Sequence, residues 1–415
     1  MLESKPERLA SLDAFRGITI AGMILVNNPG SWSHIYGPLG HATWNGWTPT
    51  DLIFPFFLFI VGVAMPFAMG RRLSQGVGRG RLLGQALRRS VILFALGLIM
   101  AGFPNWRLIG PYVLVVIGAS LTSARGPRAI FGWVLCAAAV AYFAVDFAYF
   151  DQSKLRVPGV LQRIAVCYLA ASAAVLWFGA WGAGFAGAAC IVGYWIVVHR
   201  IAPPAEYTAS VIDVGGRLHD WIDVNLLGSH LYRERPDPEG VLSTMPALAT
   251  TLLGYLSGWW LQSGREKPEK AVGLFFWGNV ALFVGLSMNY GFPINKKIWS
   301  SSYVVFTAGL ALQLLAMCFW LIDVKGWRGW AWPFLVFGTN SIAVFFASGL
   351  LAKMLGRWKV GAGDEAMSVK NWIYGEWFAS WAGPLNGSLF FALAYVAVWL
   401  VVLIPIYRMR WFIRV

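Results

Sequence analysis

Residues 41–62 read HATWNGWTPTDLIFPFFLFIVG, a loop of Trp, Asn and Gly that turns abruptly into an almost unbroken apolar run. Thr48, Pro49 and Asp51 look like a helix start, with Thr48 as N-cap, Pro49 at the first helical position and Asp51 at the third, in a capping-box-like arrangement. The run continues to about residue 69, close to the length of about 20 residues that crosses a bilayer. This stretch therefore predicts a membrane-spanning helix that opens at a polar mouth.

Outward from it, comparable apolar segments lie near 16–33, 88–104, 108–122, 128–149, 159–179, 182–198, 242–262, 270–288, 301–322, 331–352 and 386–406. The 108–122 segment is short and interrupted by Gly110, Pro111 and Gly118. The expected fold is an all-α polytopic membrane protein of about 11–12 transmembrane helices, forming a single domain over 1–415. Composition agrees, because 58% of the 415 residues are hydrophobic and only 13% are charged, with a mean hydropathy of +0.60. A soluble domain is about one-quarter charged, so a soluble globular enzyme is excluded.

The net charge of +14 does not point to nucleic acid, which needs basic residues clustered on a folded polar surface. In a membrane protein the excess belongs to cytoplasmic loops. Loop 34–50 holds no Lys or Arg, whereas RRLSQGVGRGRLLGQALRR, residues 71–89, holds six. Both termini are thus expected inside, with loops 34–50, 150–158, 199–241, 289–300 and 353–385 outside. Cys136, Cys167, Cys190 and Cys318 lie singly in apolar runs and read as small buried hydrophobes, so no metal is expected. The N-terminus MLESKPERLA carries no signal-peptide pattern.

The polar residues within and beside the spans are the candidates for chemistry. His41, one of five histidines, sits beside Trp44, Asn45 and Asp51 at the helix mouth, where it is either an interfacial ring or a general base. Asp51 is a cap or the partner that orients that base. Asp13 and Arg16 share a helical face and read as a local ion pair. Asn27 and Asn28 close the same span, as a C-cap or as donors to an oxyanion. Gln162 and Arg163 begin one span, where an arginine snorkels or lines a polar cavity. In RPDPEGVLST, Asp237 reads as an N-cap with Glu239 in the first turn. Asn295, Lys296 and Lys297 precede a serine run, and Asn340 is buried within a span, where an amide needs a partner or a ligand. Apart from Asp13 and Arg16, at the cytoplasmic end of their span, these clusters are expected on one external face. No P-loop, H-E-x-x-H or G-x-S-x-G motif is present.

The motifs SLDAFRG, VNN, HATWNGWTPTDLIFPFFLFIVG, RVPGVLQRIAV, DPEGVLSTM, GFPINKKIWSSSYV and FGTNSIAVFF occur in an order that resembles the heparan-α-glucosaminide N-acetyltransferase family and its bacterial relatives, within the transmembrane acyltransferase group. The resemblance runs over nearly the whole chain. It implies transfer of the acetyl group of cytosolic acetyl-CoA to the amine of an amino sugar on the far side of a bacterial cytoplasmic membrane. It also implies that His41 is the active-site histidine, as base or transient acyl acceptor, with Asp51 as orienter and Asn27 as the asparagine of the V-N motif. Arg16, Arg71 or Arg72 would hold the CoA phosphates, although the 71–89 loop is also explained by topology alone. Sugar contacts are expected from Asn45, Gln162, Arg163, Asp237, Glu239, Asn295, Lys296 and Asn340, with Trp44 and Trp299 stacking on the ring.

Two departures from the family pattern stand out. Residues 106–150 read as an inserted helix pair, and Ala347, Ser348 and Gly349 stand where the family has a G-H pair. The partners expected are an amino-sugar substrate and the lipid bilayer, with a homodimer left open. The rival reading is a sugar or amino-sugar permease, which usually shows matched halves with broken helices; no such symmetry is visible.

Overall fold

The computed structural model describes residues 9–124, 126–149, 155–205, 207, 214–232, 235–363 and 366–411. Asp213, part of the polar 199–241 loop, lies outside the described residues. The helices are α1 (Ala10–Asn27), α2 (Ile53–Met65), α3 (Arg71–Ser74), α4 (Arg79–Gly102), α5 (Trp106–Leu121), α6 (Pro127–Tyr149), α7 (Val160–Arg200), α8 (Val214–Leu227), α9 (Thr244–Gln262), α10 (Lys267–Met288), α11 (Ser301–Phe319), α12 (Trp332–Thr339), α13 (Ser341–Arg357), α14 (Val369–Tyr374) and α15 (Ser380–Arg408). Two strands, β1 (Lys359–Val360) and β2 (Met367–Ser368), form an antiparallel pair between α13 and α14.

Among the described residues, seven helices are long and apolar enough to cross a membrane, or eight if α12 and α13 count as one span bent by 73°. All twelve apolar segments read from the sequence fall on helices, with shifted ends: the first is Ala10–Asn27 rather than 16–33. The count by length is lower mainly because α5 has only 16 residues, α7 is a single element of 41 residues and α12 and α13 make one bent pair.

That element is two helices. On one straight helix, Arg163 and Tyr194 would be about 46 Å apart, yet the Arg163 guanidinium lies 5.1 Å from the Trp299 ring and the Tyr194 hydroxyl donates to the carbonyl of Ile298. The chain therefore doubles back, and it does so at Gly179, whose φ of 60° and ψ of −150° fall in a region open essentially to glycine alone. Both ends of this hairpin reach the 291–303 segment. The expected helix pair at 106–150 is also a hairpin: Gly118 and Gly132 face each other, and the Tyr142 hydroxyl donates to the Arg107 carbonyl.

Helices in lipid gain little from burying apolar surface against one another, so close packing of small residues does more of the work. A Cβ at Gly62 of α2 would stand 1.9 Å from the Thr251 carbonyl of α9. One at Gly254 would stand 2.1 Å from the Phe59 carbonyl, and one at Gly258 would stand 2.3 Å from that of Val63. Gly254 and Gly258 form a G-x-x-x-G pair that brings α9 into backbone contact with the helix carrying Asp51. α1 and α12 meet similarly, with Gly17 against the Phe334 carbonyl and Gly338 against that of Asp13, so α12 runs antiparallel to α1. The central core, which includes Ile20, Ile24, Phe54, Phe57, Leu161, Trp299, Tyr303 and Phe337, fills the space between these pairs.

Candidate active site

Asp51 sits in the short 3-10 turn Pro49–Leu52 that leads into α2, behind an extended Thr48 in a capping box. Its Oδ2 accepts hydrogen bonds from the backbone N–H of Thr48 (3.0 Å) and of Ala42 (3.1 Å). The Thr48 hydroxyl lies 2.6 Å from the Gly40 carbonyl and 3.1 Å from the same Oδ2. The other oxygen, Oδ1, lies 2.7 Å from His41 Nδ1. One oxygen of Asp51 thus serves the helix start and the other meets the imidazole. The carboxylate is 1% exposed and the imidazole 49% exposed. With Asp51 ionised, His41 Nδ1–H donates to Oδ1 and the ring carries its lone pair on Nε2.

Lys296 completes the group. Its Nζ lies 3.0 Å from His41 Nδ1, 3.3 Å from Nε2 and 3.5 Å from Asp51 Oδ1. Burial pushes this ammonium below the usual lysine range, and Asp51 opposes the shift. The loop that carries it is tied down by Asn295, which is fully buried. Asn295 Nδ2 donates to Asn45 Oδ1 (3.1 Å), its N–H donates to Ser300 Oγ (3.0 Å), and its Oδ1 accepts from the N–H of Ile298 (3.2 Å). The N–H of Gly46 adds a bond to the Ile294 carbonyl at 2.8 Å. Loops 41–48 and 294–300, some 250 residues apart, are therefore stitched into one rim.

The rim rests on groups that the sequence reading did not single out. The Tyr303 hydroxyl donates to the Asp51 carbonyl. The Tyr194 hydroxyl donates to Ile298 O and lies 2.8 Å from His219 Nε2, so His219 donates to that oxygen. Tyr303 follows the serine run directly and Tyr194 lies in an apolar run. Neither position shows its partner without the fold.

Asn27 ends α1 with an exposed side chain, while Asn28 is the C-cap, donating to the Ile24 carbonyl at 2.7 Å. Because Gly22 lies against Ile53, five further residues, about 8 Å of helix, bring Asn27 to the level of the His41 loop. Trp44 is half-buried, with Lys297 Nζ 6.0 Å from its ring.

Several expected sugar contacts are engaged within the protein. Asp237 is not a helix N-cap, because α9 begins at Thr244 behind Ser243; it forms a local turn in which Oδ1 accepts from the Glu239 N–H at 2.9 Å. Arg156 Nη2 reaches Asp237 at 2.7 Å and Glu239 at 2.6 Å, and its guanidinium stacks 4.4 Å from the Tyr232 ring. Arg163 is buried, with Nη2 on the Gly240 carbonyl (3.0 Å) and on Ser243 Oγ. Gln162 is buried against Gly97 and Gly159. Trp299 cannot stack on a sugar. It is 1% exposed, packed between Phe54 and Tyr303, with Nε1 on Thr250 Oγ1 at 3.3 Å. Asn340 belongs to the other end of the protein. It marks the α12–α13 bend and donates to the Trp411 carbonyl, level with Asp13 and Arg16 through the α1–α12 pairing.

Asp223 of α8, in the 199–241 loop, is fully buried. Its Oδ1 accepts from the Val241 N–H at 2.8 Å, while Oδ2 has no hydrogen-bond partner among the described residues. Burial pushes its carboxyl up to about 7, against that N–H, which favours the ionised form. The folded state therefore holds a proton that the unfolded state has lost, and stability contributed here falls as pH rises from about 4 to about 7. The Asp223→Asn variant is expected to gain on the parent across that window by about 1 kcal/mol per pH unit and to level off above it. Paired thermal melts in detergent measure this, and a pH-independent difference would count against a buried neutral acid.

At the end opposite His41 lies a cavity of 1460 Å³ whose lining includes Arg16, Arg71, Arg72, Arg88, Arg89 and Asp13. Asp13 pairs with Arg16 at 3.1 Å, so cations dominate. The Nε atoms of Arg88 and Arg89 are buried without hydrogen-bond partners among the described residues. All three arginines expected to hold phosphates are present here, together with two more that were legible only as members of the basic loop. Phe57, Ile60 and Ile92 line the inner part, and Phe57 is six residues from Asp51, about 9 Å along the helix. Arg71 is about 30 Å from Asp51 by the same measure, a bilayer's hydrocarbon thickness.

Comparison with known proteins converges on one group. The family model described as "Heparan-alpha-glucosaminide N-acetyltransferase, catalytic" matches residues 8–288, which include His41 and Asp51 and stop short of Lys296. The heparan-alpha-glucosaminide N-acetyltransferase of Homo sapiens is 29% identical over 397 residues, 83% of this chain and 53% of the relative. That of Mus musculus is 29% identical over 396 residues, 82% of this chain and 53% of the relative. The chain thus spans about half the length of the curated relatives it matches.

Proposed function

Because this chain belongs to the heparan-alpha-glucosaminide N-acetyltransferase catalytic family, we propose that it is a membrane acyltransferase that moves the acetyl group of acetyl-CoA to the amine of glucosamine or a related amino sugar. One observation carries this reading. A single helical run, Pro49–Ser74, has a histidine–carboxylate pair at one end and an arginine-lined cavity at the other. We place the arginine end in the cytoplasm and the His41 end outside a bacterial cytoplasmic membrane, following the loop charges.

Transfer to an amine needs a base for the amine proton and donors for the oxyanion of the tetrahedral intermediate. His41 Nε2 takes the proton, and Asp51 stabilises the imidazolium and holds its ring. Lys296 and Asn27 are the donors proposed for the developing negative charge. Arg16, Arg71, Arg72, Arg88 and Arg89 hold the phosphates of the donor, which are anionic and leave the acetyl-bearing arm to follow the apolar inner cavity toward Phe57. Asn45 and Trp44 offer an amide and a ring face to the sugar at the mouth.

The direct test is purified protein with acetyl-labelled CoA and glucosamine, and the expected product is labelled N-acetylglucosamine. Sugar uptake into vesicles without acetyl-CoA, with no acetylated product, would instead favour the permease. The phosphate assignment has its own outcome. Replacing Arg71 and Arg72 together with alanine is expected to raise KM for acetyl-CoA about tenfold or more while changing kcat little, since charge-assisted bonds contribute about 1.5–3 kcal/mol each. A steady-state KM unchanged by the double replacement would leave those residues only a topological role.

A further inference from the structure

Lys296 puts an amine of the protein itself where an acceptor amine has to stand. An acceptor in acetyl transfer needs a lone pair, a base within hydrogen-bond reach and access to the thioester carbonyl. Lys296 Nζ lies 3.0 Å and 3.3 Å from the two ring nitrogens of His41, and its side chain is only 18% exposed. Burial raises the share of the neutral amine at a given pH. The neighbouring Lys297 turns instead toward the Trp44 ring, so one loop carries a lysine at the base and a built-in reference beside it.

We propose that Lys296 is a self-acetylation site, modified through His41 when acetyl thioester is present and no amino-sugar acceptor is bound. The Nζ lone pair attacks the thioester carbonyl, a C–N bond forms and the C–S bond breaks. The amine hydrogen passes to His41 and from there to the departing thiolate. The products are Nε-acetyl-Lys296 and free thiol, with no oxidant or reductant required. Acetylation removes a positive charge beside the imidazole and fills the mouth, which makes the modified protein a slower enzyme. This inference rests on the acetyl-transfer reading of the same site.

The test incubates the purified full chain with isotopically labelled acetyl-CoA and no sugar, then follows acetylation of Lys296 and Lys297 by peptide mass spectrometry. Lys296 is expected to react about a hundredfold faster than Lys297, the lower end of what a positioned base supplies, and added glucosamine slows it by competition. In the His41→Gln variant the Lys296 rate drops to that of Lys297. A Lys296 rate no faster than that of Lys297, or one undiminished in His41→Gln, overturns the proposal. Glucosamine acetylation measured on the same preparation reports separately on the acetyl-transfer reading.

Discussion

Replacing His41 with alanine is expected to cut the rate of acetyl transfer to glucosamine by about a thousandfold, within the range that a positioned general base contributes. The protein is expected to remain folded, because the imidazole is half exposed and Asp51 keeps its backbone donors from Thr48 and Ala42. The loss should fall on kcat, since the arginine cavity that would set the affinity for acetyl-CoA is about 30 Å away by helical rise. Asp51→Asn should reproduce much of the effect. An amide in place of Oδ1 can present an N–H to Nδ1, which then has to act as acceptor and carry its hydrogen on Nε2, the nitrogen required as base. Single-turnover measurement of labelled product checks both variants. Activity of His41→Ala within tenfold of the parent would remove His41 from the chemistry.

The second large effect is on assembly of the scaffold. Gly254→Val in α9 is expected to abolish the folded protein or to lower its stability by several kcal/mol, because its Cβ would meet the Phe59 carbonyl at 2.1 Å. A carbonyl in a helix cannot rotate away as a side chain can, so the two helices must separate and the packing between them is lost along its length. Gly84 of α4 provides the contrast, since a Cβ there meets nothing within 4 Å. Gly84→Ala should therefore be neutral or stabilising by up to about 1 kcal/mol, from helix propensity and reduced unfolded-state entropy. Size-exclusion profiles and thermal melts in detergent distinguish the two, and a well-folded Gly254→Val protein would contradict the backbone contact.

The sequence displayed the helices because lipid imposes a length and a polarity on each crossing, and apolar runs such as 51–69 carry that signature locally. His41 and Asp51 were legible for a related reason: ten residues separate them, and the cap at Thr48 fixes how the loop turns. Their third companion, Lys296, was visible as a candidate but not as a neighbour of His41, because the contact is made across more than 250 residues. The failures have the same origin. Trp299 reads as a stacking face for the sugar ring, yet its left-handed φ of 54° turns it into the core against Arg163. Asp237 and Glu239 read as caps or sugar ligands until Arg156 is seen to take both. Asn340 reads as one of the external polar residues, and only the antiparallel packing of α12 on α1 moves it to the opposite end. The G-x-x-x-G at Gly254 and Gly258 was present in the sequence, but its partner helix was not.

The division of labour within the Asp51 carboxylate has a consequence for directed evolution. One oxygen caps the start of a helix and the other meets the histidine proposed as the base, so on that proposal a library sorted only for expression or heat resistance would retain the same residue that a library sorted for turnover retains. Position 51 would then score as structural in the first screen and as functional in the second. Neither screen alone could tell that the two selections act on different atoms of one side chain.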